Sequence, residues 1–252
     1  MIKEQFNRNL GIMSEEDIIK LHETTISIAG CGCIGGFSAE LLVRMGIGKL
    51  IIADPDLFDI SNINRQCAAT HHSVGMLKVE ALKAHLLAIN PDLEIVVYSK
   101  GVNEENVSDF VNEADYVIDA IDYFCLPEAV ALHRGSRQKG LHIITAVALG
   151  FGASVLTFSP NGMKLEEYLG IPVDCVIDDL RGITFPASSY TSYLPSYATE
   201  EKITEWITNK TIPTISVGQA LGPGALVSQM ILHILGRKEP IMVPEKWQIQ
   251  FE

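Results

Sequence analysis

Three glycines and an aspartate form the first group of residues whose types and spacing suit a specific chemistry. Gly30, Gly32 and Gly35 are spaced as G-x-G-x-x-G after a short apolar run, and Asp54 follows about 20 residues later. Glycines let the backbone approach phosphate oxygens, and a helix start presents unpaired N–H groups. An aspartate at the end of the next strand suits a ribose hydroxyl. The pattern predicts a nucleotide site; the alternative is a structural glycine turn in an ordinary α/β domain.

A second group of polar side chains follows Asp54 closely. Its members are an acid, two amides and two cations: Asp56, Asn62, Arg65, Gln66 and Lys78. Cations and amides behind a nucleotide motif suit the oxygens of a triphosphate, whereas a dehydrogenase does not need them. Asp122 follows another apolar run and is an acid able to hold Mg²⁺ that bridges phosphates. The sequence therefore predicts a site for ATP and Mg²⁺ without a P-loop.

Alternating strand and helix patterns must position these residues. Apolar runs predict strands over residues 24–29, 49–53, 93–98, 115–120 and 141–147. Helical spacing predicts helices over residues 37–45, 74–88, 104–111 and 126–139, with a short helix after Ser14. This alternation predicts an α/β fold with a Rossmann-like, doubly wound, mostly parallel sheet and helices on both faces. Ligands bind at the carboxyl ends of such strands, so Gly30, Asp54 and Asp122 should converge on one edge.

The remaining part of the chain is less regular. We expect one or two strands in residues 152–165, a helix over 218–235 entered through Gly222-Pro223-Gly224, and a last strand within 239–252. The irregular segment between them, residues 170–200, is long enough to favour a functional loop. We expect a single adenylation domain over residues 1–252. Its parts are an N-terminal helical arm (1–23), a nucleotide-binding core (24–150), and a substrate side (151–252) that contains the crossover loop 170–200.

Composition excludes several classes of protein. The 252 residues are 47% apolar, enough for a substantial core. No uninterrupted apolar run reaches the ~20 residues that span a bilayer, and no signal-peptide pattern opens the chain, so we expect a cytoplasmic protein outside the membrane. A net charge of −12 argues against sequence-independent nucleic-acid binding. The sequence has no C-x-x-C pair, so we do not expect a structural zinc site of that type. We interpret Cys31 and Cys33 as packing residues of the glycine loop.

Five motifs in this order resemble the ubiquitin-activating-enzyme-like adenylyltransferases of the ThiF/MoeB/HesA type, in the branch without zinc cysteines. The motifs are Gly30-x-Gly32-x-x-Gly35, Asp54-x-Asp56, Ser61-Asn62-x-Asn64-Arg65-Gln66, Val74-Gly75-x-x-Lys78 and Asp119-Ala120-Ile121-Asp122. The resemblance covers roughly residues 1–160 and 212–237. Each motif alone is weakly specific, whereas the ordered set is specific.

The resemblance implies that a substrate carboxylate attacks the α-phosphate of MgATP, giving an acyl-adenylate and pyrophosphate. The implied nucleotide-binding residues are Gly30, Gly32, Gly35, Asp54, Asp56, Asn62 and Gln66. The implied catalytic residues are Arg8, Arg65, Lys78 and Asp122, with Asp122 holding Mg²⁺. In this reading Arg8 reaches the triphosphate of the other subunit, which implies a homodimer. Positioning and charge neutralisation would drive the reaction, with no general base.

The sequence departs from the family in several places. Tyr123 stands where an asparagine is common, and zinc cysteines are missing, as they are in the enzyme that cyclises threonylcarbamoyl-adenosine in tRNA. Cys175 is the one candidate for a thioester cysteine, although we favour an ordinary packing role for it. The tyrosines of the crossover loop either contact substrate or pack at the surface: Tyr190, Tyr193 and Tyr197. We interpret His71 and His72 as solvated loop residues.

Three alternatives stay open for the function. The substrate we favour is a small-molecule or cofactor-precursor carboxylate, with a tRNA-bound carboxylate or a ubiquitin-like protein tail as alternatives. The acidic net charge weighs against tRNA without excluding it. An NAD-dependent oxidoreductase that uses the unit from Gly30 to Asp54 is a second possibility, and a non-catalytic nucleotide-binding scaffold is a third. Separate titrations with ATP and NADH distinguish the first two.

Overall fold

A twisted sheet of seven strands forms the centre of the protein, in a computed structural model that describes residues 3–251, apart from the side chain of Ala187. The strands are β1 Thr25–Ala29, β2 Lys49–Ala53, β3 Glu94–Tyr98, β4 Tyr116–Asp119, β5 Ile143–Leu149, β6 Gly152–Phe158 and β7 Trp247–Gln250. Their order across the sheet is β3-β2-β1-β4-β5-β6-β7. Strands β1 to β5 pair in parallel, and β6 and β7 add on as antiparallel neighbours.

Helices cover both faces of this sheet, as the sequence predicts. They are α1 Glu15–His22, α2 Cys33–Met45, α3 Lys78–Ile89, α4 Val107–Phe110, α5 Leu126–Gln138, α6 Leu165–Leu169, α7 Glu200–Thr208 and α8 Ser216–Ile234. One hydrophobic core joins the sheet to α1, α2, α3 and α8, and a second joins the opposite face to α4, α5, α6 and the crossover loop. The central strands are buried on both faces, which explains their continuous apolar runs. No helix among the described residues is both long enough and apolar enough to cross a membrane.

Two helices next to the predicted site begin at other residues than the sequence pattern indicates. Helix α2 starts at Cys33, four residues earlier, because the glycines at its start join its first turn. Helix α3 starts at Lys78 and not at Val74, because Leu77 has a non-helical ψ of 132° and Gly75 has a φ of +85°. The later start puts the Lys78 side chain in the first turn of the helix.

The C-terminal part differs more from the prediction. Of the one or two strands expected in residues 152–165, the structure has one, β6, and α6 begins at the end of this range. The amphipathic helix α7 was not predicted. Helix α8 begins six residues before Gly222 and continues through Pro223, because its packing on β5, β6 and α2 outweighs the loss of one backbone hydrogen bond. The last strand, β7, lies within the predicted tail.

Candidate nucleotide and phosphate site

The glycine loop connects β1 to α2 and is folded tightly against the end of β4. Gly30 has a φ of +99°, and a Cβ there would overlap the carbonyl oxygen of Ala120. A Cβ on Gly35 would overlap the carbonyl oxygen of Gly30. No side chain caps the start of α2 at Gly32. The first N–H groups of this helix therefore stand ready for an anionic ligand.

Asp54 ends β2 directly beside this loop. Its two carboxylate oxygens accept hydrogen bonds from the backbone N–H of Cys31 at 2.7 Å and from that of Asp56 at 2.9 Å. The side chain is buried. Burial raises the pKa of Asp54, and the nearby Lys78 ammonium and the two N–H donors limit the rise. These two hydrogen bonds thus fix the Asp54 carboxylate at the end of β2, where the sequence predicts a ribose contact.

Lys78 projects from the start of α3 toward the same edge. Its Nζ lies 2.8 Å from Oδ2 of Asp56, and its side chain is only 11% exposed. Burial alone would lower the pKa of Lys78, but the carboxylates of Asp54 and Asp56 outweigh it and raise the pKa. Lys78 therefore stays a cation at neutral pH, as a phosphate contact requires.

Arg65 and Gln66 approach the glycine loop from the segment between β2 and α3. Nη1 of Arg65 donates to the carbonyl of Ser61 and to Oδ1 of Asn64, both at 2.8 Å. Burial raises the pKa of the Cys33 thiol, and the Arg65 guanidinium, which is close to it, partly opposes this rise. Arg65 is therefore next to the first residue of α2.

Gln66 carries a polar atom that lacks a hydrogen-bond partner among the described residues. Its side chain is buried and lies about 3.6 Å from the position that a Cβ on Gly32 would occupy. Its Oε1 atom is buried and unpaired. Because an unpaired buried acceptor costs about 1–3 kcal/mol, a ligand donor at the glycine loop would stabilise this side chain. The polar groups at the loop thus suit a nucleotide.

Asn62 is partly engaged in its own loop. It ends a 3₁₀ turn, Ile60–Asn62, and its Oδ1 accepts a hydrogen bond from the N–H of Asp59 at 3.1 Å. The oxygen of this amide therefore stabilises the turn that precedes Arg65. A phosphate contact of Asn62, as the sequence predicts, would have to come from its amide nitrogen.

Asp122 lies after β4 on the same edge of the sheet. It is exposed, and one of its oxygens accepts a hydrogen bond from the N–H of Phe124 at 3.0 Å. Burial, helped by the charges of Asp122, Asp54 and Asp56 among others, raises the pKa of the neighbouring Cys125 thiol to about 11. The carboxylates of Asp54, Asp56 and Asp122 are thus all close to Cys125. The exposed carboxylate of Asp122 is a suitable Mg²⁺ ligand.

Arg8 is the one predicted site residue that the fold places elsewhere within a single chain. It lies exposed in a 3₁₀ helix, Glu4–Asn9, whose Phe6 packs beside Gly46 at the C-terminal end of α2. The glycine loop is at the N-terminal end of α2, a helix of 13 residues, and is therefore about 20 Å from Gly46. Arg8 therefore does not join the site of its own chain.

Tyr123 fixes the crossover loop next to Asp122. Its hydroxyl donates to the carbonyl of Phe185 at 2.6 Å and accepts from the N–H of the same residue at 3.1 Å. The two rings also pack at 4.6 Å between centroids. Sequence reasoning noted Tyr123 as a departure but did not find this role, because its partner is 62 residues away in the chain.

The crossover tyrosines occupy three different environments. The ring of Tyr190 packs 5.3 Å from that of Phe185, and burial raises the pKa of Tyr190. Tyr193 is 68% exposed, and the Tyr197 hydroxyl fills the space that a side chain on Gly150 would need. Beside Tyr123, a hollow of about 90 Å³ opens between β5, the crossover loop and α7. Its walls are almost entirely apolar and include Val147, Leu149, Tyr190, Leu194, Trp206 and Ile207.

The cysteines and the histidine pair agree with the interpretation of them as ordinary residues. Burial raises the pKa of Cys31 and of Cys33, so both thiols stay protonated as packing groups. The carbonyl of Cys175 accepts a hydrogen bond from Arg134 of α5 at 3.1 Å. Arg134 lies nine residues, about 13 Å, along the helix from Cys125, so Cys175 is not at the Asp122 edge. His71 and His72 are exposed.

Fold and site together define an α/β protein with a Rossmann-like sheet, in which Arg65, Lys78 and Asp54 surround a glycine loop. The chain belongs to the ThiF family, whose model matches residues 6–244. A tRNA threonylcarbamoyladenosine dehydratase of Bacillus subtilis (strain 168) is 38% identical over 122 residues, 48% of this chain and 48% of that protein. A sulfur carrier protein ThiS adenylyltransferase of the same organism is 30% identical over 172 residues, 67% of this chain and 51% of that protein.

Solved structures repeat the likeness across the whole fold. The crystal structure of E. coli tRNA N6-threonylcarbamoyladenosine dehydratase in complex with ATP has a TM-score of 0.70 at 20% identity, covering 94% of this chain and 98% of that one. E. coli MccB with ATP has a TM-score of 0.67 at 20% identity, covering 98% and 68%. At this identity the likeness is one of fold. The chain spans about half the length of the curated relatives it matches.

Proposed function

We propose that this protein activates a carboxylate with ATP, forming an acyl-adenylate and releasing pyrophosphate. The observation that carries the proposal is the meeting of Asp54, Gln66 and Lys78 at the glycine loop. Membership of the ThiF family supports it, as do relatives named as adenylyltransferases. An NAD-dependent oxidoreductase would not need Lys78 and Arg65 beside the loop.

The chain's own groups divide the work among the parts of ATP. Asp54 accepts a hydrogen bond from the ribose, and the first N–H groups of α2 face the phosphates. Lys78 and Arg65 neutralise the negative charge that builds up when a carboxylate oxygen attacks the α-phosphate. Mg²⁺ held by Asp122 would polarise the phosphates. The attacking carboxylate is already ionised, so the site needs no base.

Arg8 supplies a further cation from a second copy of the chain in this proposal. Its position at the far end of α2 supports such a role, because a single chain cannot bring it to its own glycine loop. A homodimer therefore completes two sites at once. The division into arm (1–23), nucleotide core (24–150) and substrate side (151–252), and a cytoplasmic location, stay predictions of the same account.

For the substrate we propose a carboxylate carried on tRNA, of the threonylcarbamoyladenosine type. The relatives named as tRNA threonylcarbamoyladenosine dehydratases in Bacillus subtilis and in Escherichia coli (strain K12) support this choice. It takes the place of the small-molecule carboxylate that we favoured from sequence. The acidic net charge of −12 does not favour it, so any tRNA contact must depend on local cations.

One observation favours a second candidate, a small carboxylate with a compact apolar group. The apolar hollow is lined by Tyr123, the residue that directly follows Asp122 in the chain. Its volume of about 90 Å³ is below the ~150 Å³ of a cavity that binds benzene. A short branched or unbranched alkyl group suits a hollow of this size. The apolar walls of the hollow provide almost no polar partners for a charged group.

Exchange of labelled pyrophosphate into ATP tests the function and separates the two substrates. The assay is run with tRNA that carries threonylcarbamoyladenosine, with the same tRNA lacking that group, and with a panel of short alkyl carboxylates. Exchange that depends on one of these carboxylates, and that disappears in Lys78→Ala, is the expected result. Binding of NADH without binding of ATP would overturn the proposal. Binding of ATP without exchange on any carboxylate would favour a scaffold.

A further inference from the structure

A second cluster of polar side chains lies between α2, α3 and the loop that follows Gln66. Glu40 comes from α2, Cys67 from the loop after Gln66, and His85 from α3. One ligand atom of each lies within 4.8 Å of the other two. The Nε2 atom of His85 is 2.9 Å from Oε2 of Glu40. Three separate segments of chain thus bring a thiol, an imidazole and a carboxylate together.

We propose that Glu40, Cys67 and His85 bind a divalent transition-metal ion, with Zn²⁺ the best match. Zinc is bound by sulfur, imidazole nitrogen and carboxylate oxygen, and three protein ligands leave a fourth position for water. A thiolate and an imidazole are poor ligands for Mg²⁺ and Ca²⁺, which take oxygen. This ion is therefore distinct from the Mg²⁺ of the nucleotide site.

The surroundings of Glu40 orient it as a ligand. Its Oε1 accepts from Nε of Arg44 at 2.8 Å, and Nη2 of Arg44 lies 2.8 Å from the same oxygen. This leaves Oε2 directed at His85. Such outer partners fix the orientation of ligating carboxylates in known sites. The side chains of Glu40 and His85 are 19% and 34% exposed, so an ion can enter from solvent.

The position of Cys67 connects this cluster to the nucleotide site. Cys67 directly follows Gln66, and the amide of Gln66 lies against Gly32. The Sγ atom of Cys67 is 3.1 Å from the position that a Cβ on Gly36 would occupy. An ion on Cys67 would tie the segment that carries Arg65 and Gln66 to α2 and α3. On the basis of the proposed function, we expect the bound ion to tighten ATP binding several-fold by holding these side chains in place.

Cobalt titration of the chelator-treated protein, without ATP, tests the site directly. We expect one Co²⁺ per chain, with a thiolate-to-cobalt charge-transfer band and displacement by Zn²⁺. Cys67→Ser should lose that band, and His85→Gln should weaken binding by at least about tenfold. The matched controls are Cys175→Ser and His72→Gln, which change the same residue types outside the cluster and should bind Co²⁺ like the native protein.

The cobalt titration is run without ATP, so its result does not depend on whether the proposed function is right. A cobalt complex without a thiolate band, or a band that persists in Cys67→Ser, would overturn the proposal. If Cys67→Ser does not fold, alkylation of the native protein decides the matter. Zn²⁺ should then protect Cys67, but not Cys175, from labelling. Equal labelling of Cys67 with and without Zn²⁺ would also contradict the site.

Discussion

The Nζ atom of Lys78 lies 2.8 Å from Oδ2 of Asp56. Two residues earlier in the chain, the carboxylate of Asp54 accepts a hydrogen bond from the N–H of Cys31. One carboxylate thus fixes the glycine loop while the next holds a cation at the start of α3. The ion pair holds Lys78 at the edge of the site. Phosphates that arrive at the loop meet a positioned charge and need not order a mobile side chain.

The first prediction concerns Lys78 itself. Lys78→Ala should weaken ATP binding about 10- to 100-fold, because a charge-assisted hydrogen bond contributes about 1.5–3 kcal/mol. Isothermal titration calorimetry with ATP measures the change. Lys83→Ala, on the same helix, is the matched control and should bind ATP normally. Equal losses in both variants would mean that only the general charge of α3 matters.

The second prediction concerns the crossover loop. Tyr123→Phe keeps the ring but removes both hydrogen bonds to the backbone of Phe185. Loss of about 1 kcal/mol should loosen residues 170–200 and raise the KM for the carboxylate about fivefold, with ATP affinity unchanged. Hydrogen exchange of the loop, measured beside steady-state kinetics, checks the cause. An equal loss of ATP affinity would place Tyr123 in the nucleotide site instead.

The third prediction tests whether Arg8 acts across a dimer interface. Arg8→Ala and Lys78→Ala should each be inactive alone. In an equal mixture of the two, half of the dimers are mixed and each holds one intact site, so about a quarter of the native activity should return. Activity is measured after the subunits have been allowed to exchange. A mixture as inactive as its parts, with exchange verified, would contradict action across the interface.

The fourth prediction follows from the pKa of Asp54, which burial raises above its ordinary value of 3.8. Between 3.8 and the raised value, the native state holds a proton that the unfolded chain has released. Asp54 therefore makes the free energy of unfolding fall as pH rises through this window. Urea midpoints over a pH series should show this fall in the native protein and not in Asp54→Asn.

Asp59→Asn is a control of opposite sign for that series. Hydrogen bonds from the backbone at Ser61 lower the pKa of Asp59, which is exposed. Its contribution to stability is present above 3.8 and is lost as pH falls through the lowered pKa. The variant should therefore change the acid side of the curve. A curve for Asp54→Asn that matches the native one would contradict the burial of an ionisable Asp54.

Much of the fold and of the nucleotide site could be predicted from the sequence because their signals are local. The glycine loop, Asp54 and Lys78 each belong to a strand end or a helix start, and parallel pairing brings such ends to one edge. The start of α3 at Lys78 was missed, since the backbone of Leu77, and not the apolar spacing, decides it.

Contacts between distant segments could not be predicted. The bonds between Tyr123 and Phe185, and the cluster of Glu40, Cys67 and His85, join residues far apart in the chain. Each of these residues taken alone resembles an ordinary surface or packing residue. The path of residues 170–200 through irregular backbone carries no period from which their neighbours could be inferred.

The most direct test of carboxylate activation follows the fate of a labelled oxygen. When a carboxylate labelled with heavy oxygen attacks the α-phosphate of ATP, one of its oxygens stays on the AMP that is later released. Mass spectrometry of the products formed by the native protein should therefore find AMP that carries one heavy oxygen, together with pyrophosphate. Formation of ADP and labelled phosphate, or of AMP without the label, would contradict the account.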